Sequence, residues 1–182
     1  DLTGVAISIG PGSFTGLRIG LATAKMLSYA LSIPVVAVSS LEAMAYHYPV
    51  PGVYVASVLD AQKSNAYFAL YEWNGKDFDE KKQTCVMDFE EVVKYCATLD
   101  KPVVFVGDIA QKKADIIAQY ENVSLGLPHL CMPRASNVAM AAKARFENED
   151  YDNIMDLEPV YIRRSEAEVL WEKRHGEKLT DL

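Results

Sequence analysis

The chain has 182 residues, of which 50 % are hydrophobic and 24 % charged, the composition of an ordinary globular protein of one or two small domains. Its 18 Lys and Arg against 25 Asp and Glu leave a formal net charge of -7. That excludes a wide nucleic-acid footprint built on this chain alone, but not a partner that brings the basic surface. Apolar stretches are broken before the length of a membrane span. Cys85, Cys96 and Cys131 are widely spaced without a Cys-x-x-Cys pair, so a cytoplasmic protein with free thiols is expected.

Residues 5–9 read as a buried strand that opens almost without a lead-in. A parallel sheet needs flanking strands and covering helices, so a fragment, or a chain whose first segment lies elsewhere, is expected. A turn at Gly10, Pro11, Gly12 and Ser13 leads into a helix over about residues 15–31, and residues 35–38 form the next strand. Ser39 and Glu42 have capping-box spacing for a helix to about Tyr46. Strand, helix, strand, helix is half of a doubly wound α/β unit.

Pro49 and Pro51 mark a boundary. Residues 53–59 and 66–73 read as strands joined by a polar connection, the second ended by the turn signal Asn74-Gly75. A third strand is expected near residues 84–87, a short helix over 89–96, and a strand over 103–106 that ends at Gly107-Asp108. Residues 112–120 read as helical, and Ser136 or Asn137 as the cap of a helix to about Phe146. The charged tail from Tyr161 on reads as a solvated helix packing through Ala167, Leu170 and Trp171.

The most specific segment is residues 10–20. A glycine-rich turn bares backbone N–H groups, and the helix after it adds its positive end, a combination that suits an anion. The P-loop Gly-Lys-Ser/Thr is missing and the glycine spacing is not that of a dinucleotide fingerprint. A tight turn with a Ser or Thr cap is the competing reading. Gly16, Gly20 and Ala24 share a helix face bare enough for close backbone approach, with Leu17, Leu21 and Leu27 around it. That face meets either the chain's own sheet or a partner.

Elsewhere, His47, His129 and His175 are scattered and read as structural or solvent-facing. Asp60 and Asp108 each follow a strand, where α/β sites form, but each also suits a local backbone hydrogen bond. No self-sufficient catalytic set stands out.

Residues 10–20, followed by Ala24-Lys25, Pro34 and Val38-Ser39-Ser40-Leu41-Glu42-Ala43, closely resemble the bacterial TsaB family, also called YeaZ. Asp60-Ala61-Gln62 with Ala66-Tyr67 and Tyr71 looks like the family's hairpin block, Gly107-Asp108 like its Gly-Asp, and Pro159, Tyr161, Arg163 and Glu166 like its ending. The resemblance spans nearly the whole chain. It implies an actin-like two-domain α/β fold of the ASKHA class, with the first domain truncated at its N-terminus. Residues 1–50, with part of 161–182, would be the remainder of the first domain, and residues 51–160 the second α/β domain.

The resemblance implies a non-catalytic scaffold that binds TsaD and, with TsaE, supports N6-threonylcarbamoyladenosine formation in ANN-decoding tRNAs. No cofactor is then expected on this chain, with ATP and metal on the partner subunits. The protein would be a homodimer when alone, touching tRNA only through the complex and binding no membrane. Where the catalytic paralogue has two metal-binding histidines this chain has Ser40 and Met44, a hydroxyl and a thioether that do not suit such a metal. The implied interface comprises Gly16, Leu17, Gly20, Leu21, Ala24 and Leu27 on the first helix, with Met26 beside them, and Leu41 and Met44 on the second. The competing classes are an actin-like ATP-binding kinase and a metallopeptidase-like enzyme.

Overall fold

The computed structural model of the chain describes residues 1–162. The first unit is β1 (Val5–Gly10), α1 (Phe14–Leu31), β2 (Val35–Ser39) and α2 (Ser40–Ala45). β1 and β2 pair in parallel, Val5 opposite Val35 and Ile7 opposite Ala37, and form a sheet of their own. Residues alternate across such a pleat, so each face has its own set. Val5, Ile7, Ile9, Val35 and Ala37 pack on Leu21 of α1 and on Leu157. Ala6, Val36 and Val38 face Ala43 of α2 and Val138, Ala141 and Ala142 of α6 (Ala135–Glu147).

The second sheet holds β3 (Tyr54–Asp60), β4 (Asn65–Trp73), β5 (Phe78–Asp88), β6 (Val103–Val106) and β7 (Val123–Leu125), in the order β5-β4-β3-β6-β7. The hairpin pairs are antiparallel, while β6 runs parallel to β3 and to β7. One face packs on α3 (Phe89–Ala97), α4 (Asp108–Lys112) and α5 (Ala114–Ile117), with Phe68, Phe89 and Phe105 at its centre. The other face, Val55, Leu59, Ala69, Tyr71 and Val106, packs on Leu41, Met44 and Ala45. The short helix α2 is thus wedged between the two sheets, Ala43 toward one and Leu41 and Met44 toward the other.

The free edge of β2 is closed by a clasp. Asp152 Oδ2 accepts the Ala37 N–H at 2.6 Å, and Arg145 donates to the Ala37 carbonyl at 3.1 Å and to Asp152 at 3.0 Å. The Asp152 N–H donates to the Val35 carbonyl. The segment then crosses the sheet, where Lys25 Nζ donates to the Leu157 carbonyl, and its Val160 N–H reaches the Ile9 carbonyl.

Several expectations are corrected. Residues 112–120 do not form one helix: the backbone turns out of helical geometry at Lys113 (φ -119, ψ 36), leaving α4 and α5 as separate turns. The third strand starts at Phe78, further upstream than expected: Asp79, Glu80 and Lys81 are all exposed on this sheet edge, so the segment offers no apolar alternation to read. β7 was missed, being three residues long with only Val123 buried. α6 begins after Arg134 with no side-chain cap; Asn137 is turned to His47 instead. The tail helix and the packing through Ala167, Leu170 and Trp171 lie outside the described residues. All three cysteines are free, and burial pushes the Cys96 thiol up to about 12. Among the described residues no helix is long and apolar enough to cross a membrane.

Candidate functional site

The glycine-rich turn, the C-terminal ends of β3 and β6, and residues 132–133 and 160–162 enclose a cleft of about 900 Å³. Gly10 takes φ +113, and a Cβ there would stand 3.2 Å from the Val160 carbonyl, so the turn needs glycine at this point. The Gly10-Pro11 bond is cis. Gly10 and Pro11 are buried, while Gly12 and Ser13 are exposed on the cleft wall. Ser13 Oγ accepts the Gly16 N–H at 3.3 Å as the cap of α1.

The opposite wall carries Asp60 and Asp108, one from the end of β3 and one from the start of α4. They meet through both local and long-range bonds. Asp60 Oδ1 accepts the Gln62 N–H at 2.8 Å, and Asp108 Oδ1 accepts the Asp60 N–H at 3.0 Å. Lys112 Nζ bridges both carboxylates, at 2.9 Å from Asp60 and 3.2 Å from Asp108. This ammonium holds Asp60 below the usual carboxylate range and is itself raised by the pair. Both aspartates stand at the cleft; Asp60 also takes the expected local backbone bond, whereas the backbone bond of Asp108 is long-range, to Asp60.

At the cleft floor Ser40 Oγ lies 2.7 Å from Ser8 Oγ. Met44, one turn on, is fully buried against Val106 and the strands of the second sheet. The face that the resemblance matches to two histidines is therefore half a hydroxyl pair and half hydrophobic core. Among the described residues no three His, Cys, Asp or Glu side chains stand where they could hold a metal ion.

Two features of the cleft rim were not read from the sequence. Arg18 lies over the Phe14 ring at 4.0 Å, its Nε donates to Tyr161 Oη at 2.8 Å, and the Phe14 and Tyr161 rings are 5.1 Å apart. The available signal was Arg18 itself, one of two charges in an otherwise uncharged helix. The second is His47. Its Nε2 lies 3.0 Å from the Met132 carbonyl and its Nδ1 3.1 Å from Asn137 Nδ2, so the ring pins the segment that carries Met132 and Pro133. The neutral tautomer with Nε2–H donating and Nδ1 accepting satisfies both bonds. Burial lowers the imidazole pKa.

The residues expected on the interface divide. Leu41 and Met44 have no exposed surface and belong to the core beneath α2, which overturns their place on an open face. Leu21 and Ala24 are also buried, and a Cβ on Gly20 would lie 3.4 Å from Ile7 Cδ1, so this stripe meets the chain's own sheet. Gly16 and Leu27 remain exposed and Leu17 half-buried. The open face of α1 is instead made by Ile19, Met26 and Tyr29, 63–73 % exposed, with Ala22 and Leu27 between them.

This α/β fold is shared with solved structures. YeaZ from Pseudomonas aeruginosa superposes with a TM-score of 0.73 at 24 % identity, covering 88 % of this chain and 73 % of that one. A protein described as similar to peptidase YeaZ from the same organism gives 0.74 at 25 % identity, covering 89 % and 74 %. A family profile described as "TsaD: tRNA N6-adenosine threonylcarbamoyltransferase" matches residues 1–171. The tRNA threonylcarbamoyladenosine biosynthesis protein TsaB of Bacillus subtilis is 32 % identical over 178 residues, 94 % of this chain and 74 % of that protein. TsaB of Escherichia coli is 27 % identical over 191 residues, 98 % of this chain and 77 % of that protein. The chain belongs to the TsaB (YeaZ) family.

Proposed function

We propose that the chain is the non-catalytic, TsaB-type partner of a TsaD subunit, working with TsaE in forming N6-threonylcarbamoyladenosine on ANN-decoding tRNAs. Similarity to TsaB proteins along nearly its whole length carries this reading. The non-catalytic role is supported by the pairing of Ser40 with Ser8 and the burial of Met44. In this reading ATP and metal sit on the partner subunits, and tRNA is met through the complex.

The architecture is read as actin-like, with a first lobe around β1, β2, α1 and α6 and a second lobe around the five-stranded sheet. Residues 1–50 with part of 161–182 would make up the first lobe, and 51–160 much of the second; α6 packing on the first sheet moves that boundary in places. TsaD, or a second copy when TsaD is absent, docks on the open face of α1 through Ile19, Met26 and Leu27, next to Gly16 and Leu17. α1 buries only Leu21, Ala24 and Ser28, and the apolar stripe it leaves exposed is area that a partner would cover.

Ile19→Asp and Met26→Asp test this with little risk to the core. Each should leave the circular dichroism spectrum and melting temperature unchanged, weaken TsaD capture at least tenfold, and lower tRNA modification in cells that depend on this protein. Normal capture by both variants would place the interface elsewhere. Micromolar ATP binding by the chain alone in titration calorimetry would favour the kinase-like class.

A further inference from the structure

A second cavity, of about 320 Å³, lies beside α6, which covers the face of the first sheet opposite α1. Three elements wall it: Tyr46 and Pro49 at and after the end of α2, Trp73 and Asp77 at the β4–β5 turn, and one stripe of α6. That stripe is Met140, Lys143 and Glu147, residues whose spacing puts them on one helix face. The turn is held by Asn74 Oδ1, which accepts the N–H groups of Lys76 and Asp77 at 3.0 and 2.9 Å. The Tyr46 and Trp73 rings meet edge to face at 6.1 Å, and Phe78, outside the lining, stands 5.0 Å from each.

The charges around these rings favour a cation. Lys143 is paired with Glu147 at 3.1 Å, and Arg145 is taken up by Asp150 and Asp152. That leaves Lys76, exposed on the turn, against Asp77, Glu42 and Glu80. The buried groups feel this balance. Burial and then Glu80 raise the Glu42 carboxyl, with Asp77 adding to them and Ser39 and Arg145 opposing. Burial and then Asp77, which accepts the Tyr46 hydroxyl, push that phenol up to about 12. Nor does the apolar surface end at the cavity. Met140 is 54 % exposed, and Pro49 and Val50 are exposed as well, area that a small cation would leave uncovered.

We propose that this cavity receives an arginine side chain from an extended segment of a partner polypeptide, its guanidinium against Trp73 and Tyr46 and its flanking residues along Met140 and Pro49. A guanidinium is planar, stacks on aromatic faces and is more weakly hydrated than an ammonium, so it suits a half-buried ring pair under a negative field. Trp, Tyr and Arg are also the residues that carry most binding energy where two proteins meet. This inference goes beyond the TsaD reading and does not depend on it, because the surface lies on α6 and not on α1.

The probe is an end-blocked pentapeptide with arginine between two alanines on each side, titrated into the full chain and followed by NMR. It should shift the Trp73 indole N–H and the Met140 methyl resonances saturably. The same peptide with citrulline, which keeps the shape and loses the charge, should bind at least tenfold more weakly. Trp73→Leu removes the larger ring and should weaken the arginine peptide at least tenfold, read at Met140. Glu147→Lys, at an exposed helix position, adds a like charge at the cavity and should weaken it at least fivefold; if Trp73→Leu fails to fold, this variant decides. No shift at Trp73 and Met140, equal binding of the citrulline peptide, or unchanged binding by the folded variants would overturn the proposal. So would tetramethylammonium binding as tightly as the arginine peptide with the same shifts, which would assign the cavity to a small organic cation.

Discussion

A Cβ added to Gly107 would stand 1.6 Å from the carbonyl oxygen of Val58. Gly107 has φ +134, a conformation that side chains rarely adopt, and its position lets β6 pass close to β3 before turning into α4. The turn delivers Asp108 to the Asp60 N–H. Both the strain and the overlap with backbone act against any other residue. Gly107→Ala should cost more than about 4 kcal/mol, in the range kept for severe structural conflicts. Denaturant unfolding would check this; a loss near 1 kcal/mol would mean that the strands part easily.

Ser57 sits in the middle of the second sheet with no exposed surface, and its hydroxyl has no hydrogen-bond partner among the described residues. An unsatisfied buried hydroxyl costs on the order of 1–3 kcal/mol. Ser57→Ala removes that cost and only one heavy atom from the packing. Stability equal to or up to about 2 kcal/mol above the parent is expected from chemical denaturation.

The clasp on β2 uses a guanidinium bonded at once to a carbonyl and a carboxylate. Arg145→Met keeps the stem but leaves the Ala37 carbonyl and Asp152 without this donor. The expected loss is roughly 1.5–3 kcal/mol, the range for hydrogen bonds to charged groups. Faster amide exchange along β2 than along β3 would localise the effect.

His47 supplies the acid dependence of the Met132 segment. Its folded pKa is lowered by burial, so the unfolded chain binds the extra proton more readily. The stabilisation is fully present above about pH 6.5, the unfolded value, and is lost as pH falls through the lower folded value. Arg134 and His129 nearby oppose the imidazolium as well. The melting temperature should fall between pH 7 and pH 5 more in the parent than in His47→Gln, and an NMR titration should place the His47 midpoint below 6.5.

Asp60 acts lower on the scale. Its pKa is depressed mainly by the Lys112 hydrogen bond, so its contribution is present above the unfolded value of about 3.9 and lost as pH falls through the folded one. Lys112→Met should flatten the acid limb of the stability profile; an unchanged limb would show that the bridge in solution is weak.

The order of elements was legible where local chemistry is strong. The Gly-Pro-Gly-Ser turn, the Ser39 cap with Glu42 three residues on, the Asn74-Gly75 hairpin and Gly107-Asp108 each dictate the backbone within a few residues. β7 and the break at Lys113 depend on distant packing, so short segments gave no period to read. The face of α1 was misread for a related reason. Small residues at 16, 20 and 24 announce close approach but not what approaches: Gly20 and Ala24 meet the chain's own sheet, while Gly16 stays exposed. His47 and Arg18 were invisible as rim residues because their partners lie 85 and 143 positions away.

The bond between Ser8 and Ser40 has a consequence for the cleft floor. Two hydroxyls share one hydrogen bond, and either oxygen can be the donor. Whichever donates inward leaves the other with a proton to direct elsewhere. The floor is therefore uncharged but reversible in polarity, a two-position rotor that can present an O–H from the β1 side or from the α2 side without moving a heavy atom.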